Sequence, residues 1–583
     1  MSDSATSKLQ SRRAFLRLAA LAGGSALLAA CQQASSPAAK PTEAPKPAEA
    51  AKPAAPAATT APAAPAAAAP TSVAAKPAEA AKPAEAAKPA APAPAAKRGG
   101  SFTYAEAGDF NSFNPWAVTA TNQAMYNQAF SRLLYKDKDG KAVPDMAESW
   151  EMAKDGLSFT VKMKSGLKWH DGKDHVAQDY VTMFGYTKDE NLLKNAAVKK
   201  HQGYIAIVKD VKAPDKNTVV FELNSPAPYF EDIVDYWYAI RIDDPSDPDS
   251  MKKPPVGTGP FKMTEWQPNQ FAKFVRNPDF YRKEEPSADE LTFKRLEKAE
   301  TLIPNLQSGS VDAVLVTSAS DVAALKANPE LKIALYDVGS VFDIQVNCNK
   351  PPFDKKEVRQ ALSYSLNRAE MAKTAFFGIS EPIATPWYNP SSLAYKQELV
   401  NAHPFDLDKA AKMLETAGAK GLSMTTNVTP RWPQMKLFML LWQADLAKIG
   451  VKLTVNEVET AKFYDIAADK DMLGADIHPW LNGRVLRDPA ILWSSQANFR
   501  GNEKNIFGFK SPEMEKLIAD AAGEVDAAKR KSMYQKLNEM FVDEAYLIQV
   551  ATNPFIFAMK KGVNGLSADL TGNVILGTAS VGG

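Results

Sequence analysis

The stretch that decides the fold is VFDIQVNCNKPPFDKKEVRQALSYSLNR, from Val341 to Arg368. Its first part, Phe342 to Cys348, alternates in polarity and predicts a half-buried strand. Pro351-Pro352 ends that strand because proline has no N–H to donate to a ladder. A helix with a repeating apolar face is predicted directly afterwards, with Asp354 as its N-cap. We expect this segment to carry the chain from one lobe into the next.

Length and charge exclude several classes of protein. The chain has 583 residues, more than one hydrophobic core usually organises, so several domains or lobes are expected. The 69 basic and 67 acidic residues leave a net charge of +2, which gives no electrostatic case for nucleic acid or an anionic membrane surface. The two cysteines, Cys31 and Cys348, provide no disulfide framework.

Residues 1–30 are predicted to be an export signal. Arg12-Arg13 precedes a short apolar run, Leu18 to Ala30, that is too short to span a bilayer well. The arginine pair resembles a twin-arginine signal, and Leu28-Ala29-Ala30-Cys31 resembles a bacterial lipobox in which Cys31 carries the lipid. The general secretory route is the alternative, and so is a chance arginine pair before an apolar helix.

Residues 31–98 are almost wholly Ala, Pro and Lys, with repeating KPAEA units. This composition cannot bury a core and favours polyproline II, which rises roughly 3 Å per residue. The segment is predicted to be a disordered spacer that holds a globular domain away from the membrane. Neutral low-complexity drift is the alternative.

The remaining chain mixes hairpin, strand and helix patterns. Asp155-Gly156 is a hairpin turn signal, and the residues after it alternate in polarity. Several motifs together resemble family 5 solute-binding proteins, the extracytoplasmic receptors of peptide, nickel and opine ABC importers. These motifs are PDMAESWEMAKDGLSFTVKMKSGLKWHDG, PVGTGPF, QSGSVDAVLV, PPFDKKEVRQALSYSLNR, FDLDKAAKMLETAGA and LAKIGVKLTVNEVE.

The resemblance implies an α/β (α+β mixed sheet) protein with the two-lobe, periplasmic-binding-protein-like fold of the large peptide-binding type. Lobe I would comprise 99–340 and 547–583, with an extra subdomain at about 133–250, and lobe II would comprise 341–546. The lobes would be joined by crossings near Phe342 and again at Gln549–Phe557. Such a receptor, lipid-anchored outside the bacterial cytoplasmic membrane in the periplasm or at the cell surface, would deliver solute to permease subunits, most simply as a monomer.

The segment around Trp480 bears on ligand choice. Trp480 and Asp488-Pro489 match the pattern of peptide-binding relatives, but the third residue after Trp480 is Gly483 where those relatives usually carry an acidic residue. Arg484 and Arg487 have entered the same loop. The Arg484 guanidinium would suit a carboxylate or phosphate of the ligand, or would pair with Asp488 or Asp476 and only shape the loop. An oligopeptide is the leading expectation, and an oligosaccharide or an acidic, amine-free ligand is the alternative.

The predicted ligand-binding residues combine aromatic groups on loops and at the crossing with polar groups that follow Trp480 in the sequence. Aromatic side chains offer rigid apolar area and stacking faces, although each is also compatible with a core position. The set is Trp116, Phe342, Trp387, Trp432, Trp480, Asn482, Arg484 and Asp488.

Catalysis is not expected. The five histidines lack metal-ligand spacing, and no serine-nucleophile signature or phosphate-binding glycine loop is present. We therefore predict no metal, no cofactor and no enzyme activity. An exported hydrolase and a purely structural surface lipoprotein are the alternatives from other classes.

Overall fold

The predicted crossing segment can be placed in a computed structural model that describes residues 98–583 with gaps. The predicted signal, the lipid-attachment residue Cys31, nearly all of the spacer and Arg484 lie outside the described residues. The gaps within that range are 109–112, 114, 118–123, 138–139, 195, 236, 245–255, 467–468, 484, 486, 571 and 583.

The strands are numbered here in chain order. They are β1 Ser101–Glu106, β2 Leu134–Lys136, β3 Ala142–Pro144, β4 Ala147–Met152, β5 Ser158–Met163, β6 Val208–Asp215, β7 Thr218–Leu223, β8 Phe261–Gln267, β9 Phe271–Arg276, β10 Glu290–Arg295, β11 Ala313–Val316, β12 Leu331–Tyr336, β13 Val341–Val346, β14 Ser423–Val428, β15 Lys452–Glu457, β16 Ile477–Asn482, β17 Leu547–Thr552, β18 Phe555–Lys560, β19 Val563–Asn564, β20 Ser567–Ala568, β21 Val574–Ile575 and β22 Ser580–Val581.

The helices are numbered in the same way over the described residues. They are α1 Ala177–Tyr186, α2 Ala196–Tyr204, α3 Phe230–Val234, α4 Leu302–Gln307, α5 Val322–Ala327, α6 Lys356–Tyr364, α7 Arg368–Thr374, α8 Gln397–Val400, α9 Leu407–Thr416, α10 Pro433–Lys448, α11 Thr460–Asp465, α12 Pro489–Ser495, α13 Pro512–Gly523 and α14 Ala527–Glu544.

The first large sheet has seven strands in the order β12-β18-β11-β1-β10-β9-β8. β1 pairs in parallel with β10 and β11, whereas β8, β9 and β18 run antiparallel to their neighbours. One core cluster on this sheet contains Phe102, Tyr104 and Phe293 and continues into the adjoining four-stranded sheet β4-β5-β7-β6. A smaller cluster packs α4 and α5 onto the sheet.

The second large sheet has five strands in the order β15-β14-β16-β13-β17 and is covered on both faces. Phe342, Ile344 and Val346 of β13 pack in the core formed with α6, α7, α9 and α10. Val341 of β13 and Leu547 of β17 pack in another core, formed with α12, α13 and α14. The strand VFDIQV is buried along its whole length, because helices lie on both faces of its sheet. The prediction of a half-buried strand is therefore wrong.

The chain passes between the two large sheets twice. β12 belongs to the first sheet and β13, four residues later, to the second. The return passage lies between β17 of the second sheet and β18 of the first. These passages, at residues 337–340 and 553–554, agree with the crossings predicted near Phe342 and near Gln549–Phe557. The predicted lobe and subdomain boundaries stay predictions.

Helix starts show where local sequence signals succeed and fail. Asp406 caps α9 as its pattern predicts, since its Oδ1 accepts from the Lys409 N–H at 2.8 Å. The prediction that Asp354 caps α6 is wrong, because α6 begins at Lys356 with Lys355 in the N-cap position. A turn from Pro352 to Lys355 shifts the helix start by one residue.

Candidate ligand-binding site

One face of the second sheet carries polar side chains at its centre. Asp343 of β13 lies opposite Trp480 of β16 and opposite Gln549 of β17. Directly opposed residues in antiparallel strands point to the same side of a sheet, and Asn482 shares that side because it lies two residues after Trp480. The register therefore places all four side chains on one face, which we call the Asp343 cluster.

Asp343 is fully buried and receives one hydrogen bond, from Asn482 Nδ2 to its Oδ2. Burial raises the pKa of its carboxyl group from 3.8 to about 8, although the hydrogen bond from Asn482 opposes this rise. Within the described part of the chain, Asp343 Oδ1 and Asn482 Oδ1 have no hydrogen-bond partner. A carboxylate here would be costly unless a positive group came to it.

Gln549 completes the cluster from the other side of β13. Its side chain is fully buried, and neither amide atom has a partner among the described residues. Its backbone carbonyl does have one, since Arg368 Nε donates to it at 2.8 Å. Buried amide groups are normally hydrogen-bonded, so these free atoms need an explanation.

Aromatic rings lie at one side of the cluster. Trp480 is half-buried and stacks on Phe463 with ring centroids 5.7 Å apart, while Tyr464 meets it edge-on. Trp432 is also half-buried, and its Nε1 donates to Tyr464 Oη at 3.1 Å. The two predicted tryptophans are therefore connected through α11.

The loop after β16 leads into contacts with the part of the chain around α3. Asp488 caps α12 by accepting from the Ala490 N–H at 3.0 Å, and its own N–H donates to Asp232 Oδ2 at 2.6 Å. Tyr534 Oη donates to Asp488 Oδ1 at 2.8 Å. Burial, with a smaller contribution from Asp232, raises the pKa of Asp488 to about 6.

Arg487 is buried beside Asp488 and forms the centre of what we call the interface charge network. It is ion-paired with Asp235, which is also ion-paired with Arg132, and its Nη1 donates to the Asp232 carbonyl at 3.0 Å. Lys136 Nζ lies 2.6 Å from Asp232 Oδ1. Every charge in this network has an oppositely charged neighbour, so the network joins the β16–α12 loop firmly to α3 and β2.

A polar pocket of about 280 Å³ lies beside this network, and residues from both parts of the chain line it. Lys136, Tyr229 and Asp232 contribute from one side, and Ser392, Arg487, Asp488 and Arg530 contribute from the other. A ligand in this pocket would touch both parts at once.

Three predicted site residues lie in hydrophobic cores. Trp116 stacks on His201 with centroids 4.3 Å apart, and Phe342 packs against Phe376 at 5.1 Å. Trp387 is enclosed by the core of α12 and α14. Each is packed among hydrophobic side chains, and a ligand-contacting role for them stays a prediction.

Trp480 and Asn482 lie together in the Asp343 cluster, while Asp488 lines the polar pocket beside the interface charge network. Sequence reasoning did not select Asp343 or Gln549 as site residues, and it noted Arg487 in the loop after Trp480 without assigning it a role. The signal for Asp343 was present, because an acidic residue in the middle of the buried run VFDIQV is unusual.

Two large sheets joined by two chain passages, with a polar pocket lined from both sides, define a two-lobe binding protein. Residues 141–503 match the family model described as bacterial extracellular solute-binding proteins, family 5 Middle. The chain therefore belongs to the family 5 extracellular solute-binding proteins.

Relatives of known name agree with this membership. Heme-binding protein A of Haemophilus influenzae is 27% identical over 77% of this chain and 87% of its own length. The dipeptide-binding protein of Escherichia coli is 26% identical over 81% of this chain and 93% of its own length. A solved dipeptide-binding protein from Pseudoalteromonas, in complex with Met-Leu, has the same fold with a TM-score of 0.69, at 22% identity over 83% of this chain and all of that one.

Neither a metal-binding cluster nor a membrane-spanning helix is found among the described residues. Among the described residues, no group of three or more His, Cys, Asp or Glu side chains could hold a metal ion. Within the same ranges, no helix has the length and apolar character that crossing a bilayer requires.

Proposed function

We propose that this protein is the substrate-binding component of an ABC importer and that it captures a small peptide between its two lobes. Membership of family 5 supports solute capture outside the cytoplasm. The observation that carries the peptide proposal is the polar interior, where the Asp343 cluster offers hydrogen-bonding groups that match a charged, polar guest. A relative named for dipeptides spans 81% of the chain, in agreement.

Closure of the lobes is the proposed mechanism. A ligand that contacts both sides of the pocket stabilises the closed form by its differential affinity for that form. The two chain passages, β12 to β13 and β17 to β18, would absorb the rotation as hinges. Permease subunits would then accept the ligand, and no bond in the ligand need change.

A thermal-shift screen tests the peptide proposal. Full-length protein is mixed with a library of free dipeptides and, in separate arms, with glutathione, haem and a set of oligosaccharides. Binding to the folded state raises Tm by mass action, so dipeptides are expected to raise Tm with a saturable concentration dependence. A shift with oligosaccharides or haem and none with dipeptides would replace the peptide proposal. Turnover of any dipeptide during the assay would favour the hydrolase alternative.

Lipid anchoring through Cys31 is part of the proposal. The thiol of Cys31 would carry the diacylglyceryl group, and residues 31–98 would hold the lobes away from the bilayer. We expect Cys31→Ala to move the protein from the membrane fraction to the soluble fraction and to abolish labelling by radioactive palmitate. Cys348→Ala is the matched control and should leave both unchanged. Membrane retention of Cys31→Ala would rule out this anchor.

A further inference from the structure

We propose that Asp343, Asn482 and Gln549 form a binding site for a primary ammonium group of the ligand, with Trp480 as its aromatic wall. This inference rests on the proposed function, because it identifies the chemical group by which a captured solute is held. It extends that function from solute capture in general to recognition of a free amine.

The unpartnered oxygens match the donors of an ammonium group in number. Asp343 Oδ1, Asn482 Oδ1 and Gln549 Oε1 are buried without a hydrogen-bond partner in the described residues. A primary ammonium carries three N–H donors and no acceptor, so it can satisfy three such oxygens. An anionic ligand group would instead face these oxygens with further acceptors.

The three side chains lie close enough to share one guest. Asn482 already contacts the Asp343 carboxyl group through its Nδ2. Gln549 lies directly across from Asp343 on the neighbouring strand, a relation that places Cβ atoms about 4.5 to 5.5 Å apart. The three side chains therefore lie together on one face of the sheet, on β13 and on the two strands that flank it.

The charge of the site points to a monovalent cation. Within the described residues, no Lys, Arg or His pairs with Asp343, and its carboxyl group is fully buried. One positive charge from the ligand would compensate one carboxylate, and the pKa raised to about 8 by burial would then return toward its ordinary range. Calcium needs six to eight oxygen ligands, which this cluster does not supply.

The end of β16 supplies an aromatic surface. Trp480 is half-buried on the same face as Asp343, where its ring can receive a cation. The ring of Trp480 therefore borders the cluster on the β16 side.

The test compares free and N-acetylated dipeptides on wild-type protein and on Asp343→Asn. Acetylation removes the positive charge and two of the three N–H donors, so we expect it to weaken binding to the wild type about 30-fold or more. In Asp343→Asn the free dipeptides should weaken by a similar factor, and the ratio between free and acetylated affinities should fall to about one. Such non-additivity identifies direct contact between the two groups.

Glu106→Gln is the matched control, because Glu106 is also a buried carboxyl group with a pKa raised to about 8, but in β1 of the first sheet. This variant should keep the wild-type ratio. A variant that merely disturbs the fold would weaken both ligand forms and leave the ratio unchanged. Equal affinity of the wild type for free and acetylated dipeptides would overturn the ammonium site while leaving the peptide proposal intact.

If no dipeptide binds and the peptide proposal therefore fails, butylammonium still tests the ammonium site directly. Stabilisation of the wild type by butylammonium chloride, lost in Asp343→Asn and absent with potassium chloride, would sustain the ammonium site. If butylammonium gave no stabilisation, or an equal one in both proteins, the unpartnered oxygens would be filled by water or by rearrangement of Gln549, and the proposal would be wrong.

Discussion

Two buried polar groups of residues, one on β13 and the end of β16 and the other around the loop that follows β16, differ in how they are satisfied. The interface charge network sets Arg132 and Arg487 against Asp235, and Lys136 against Asp232. The Asp343 cluster leaves several buried atoms without partners in the described residues. A network that is paired within the protein fixes how its parts meet, whereas a cluster left unpaired is prepared for a group that the protein does not supply.

This contrast separates buried polar residues that stabilise the fold from buried polar residues that are available to bind a ligand. Buried charges without partners cost free energy, and a fold tolerates them mainly where function requires them. Arg487 and Asp343 are both nearly or fully buried, so exposure alone does not distinguish them. Only their partners do.

Removing Arg487 should have the largest effect. We expect Arg487→Ala to lower the free energy of unfolding by about 4 to 5 kcal/mol, because Asp235 and the Asp232 carbonyl lose a buried cation. Urea unfolding followed by tryptophan fluorescence measures this change. Lys420→Ala, which breaks an exposed pair with Glu415, should leave the unfolding midpoint unchanged. If the two variants behave alike, the network does not hold the loop to α3.

The pH dependence of stability should reveal Asp343 in the ligand-free protein. The pKa of Asp343 is raised to about 8, so between pH 4 and 8 the folded state keeps a proton that the unfolded state releases. The free energy of unfolding therefore falls as pH rises through this window. From pH 5 to 9, Asp343 should account for a decrease of about 4 kcal/mol, at about 1.4 kcal/mol per pH unit over three units.

Asp343→Asn should remove this contribution and flatten the profile, measured by urea unfolding at each pH. Part of the slope will remain, because burial also raises the pKa of Glu106 to about 8. Comparison with Glu106→Gln separates the two carboxyl groups. A profile of Asp343→Asn that coincides with the wild type would show that Asp343 is not a protonated, unpaired acid in the free protein.

Replacing Trp480 should have the smallest effect and should act on affinity more than on stability. We expect Trp480→Ala to weaken ligand binding about tenfold, or about 1.4 kcal/mol, through the lost aromatic wall. Calorimetric titration with the best dipeptide measures it, and Trp480→Phe should recover most of the affinity. Unchanged affinity in Trp480→Ala would remove this residue from the site.

Much of the fold could be predicted from local pattern. The pattern of Phe342 to Cys348 predicts the strand β13, although not its burial on both faces, and the placement of Asp406 predicts the start of α9. The two crossings lie where the family resemblance implies them. The N-cap of α6 was predicted one residue too early, because the Lys355 N–H bonds back to the Pro352 carbonyl in a turn that the helical periodicity does not reveal.

The site could be predicted only in part. Trp480 and Asn482 fall in the polar cluster and Asp488 lines the pocket, but Trp116, Phe342 and Trp387 lie in cores. Aromatic side chains serve cores and ligands equally well, so a loop position does not distinguish the two. Partners such as Asp235 for Arg487 are separated by some 250 residues, a distance at which sequence spacing carries no information.

Hydrophobic period and turn chemistry act over a few residues, so the sequence pattern predicts individual strands and helices, while the family resemblance of its motifs implies two mixed-sheet lobes with a crossing near Phe342. The folded chain was needed to show that Asp343, Asn482 and Gln549 share one face, and that Arg487 is ion-paired while Asp343 has no charged partner among the described residues. Register between strands and burial set both outcomes, and these arise from contacts between residues far apart along the chain.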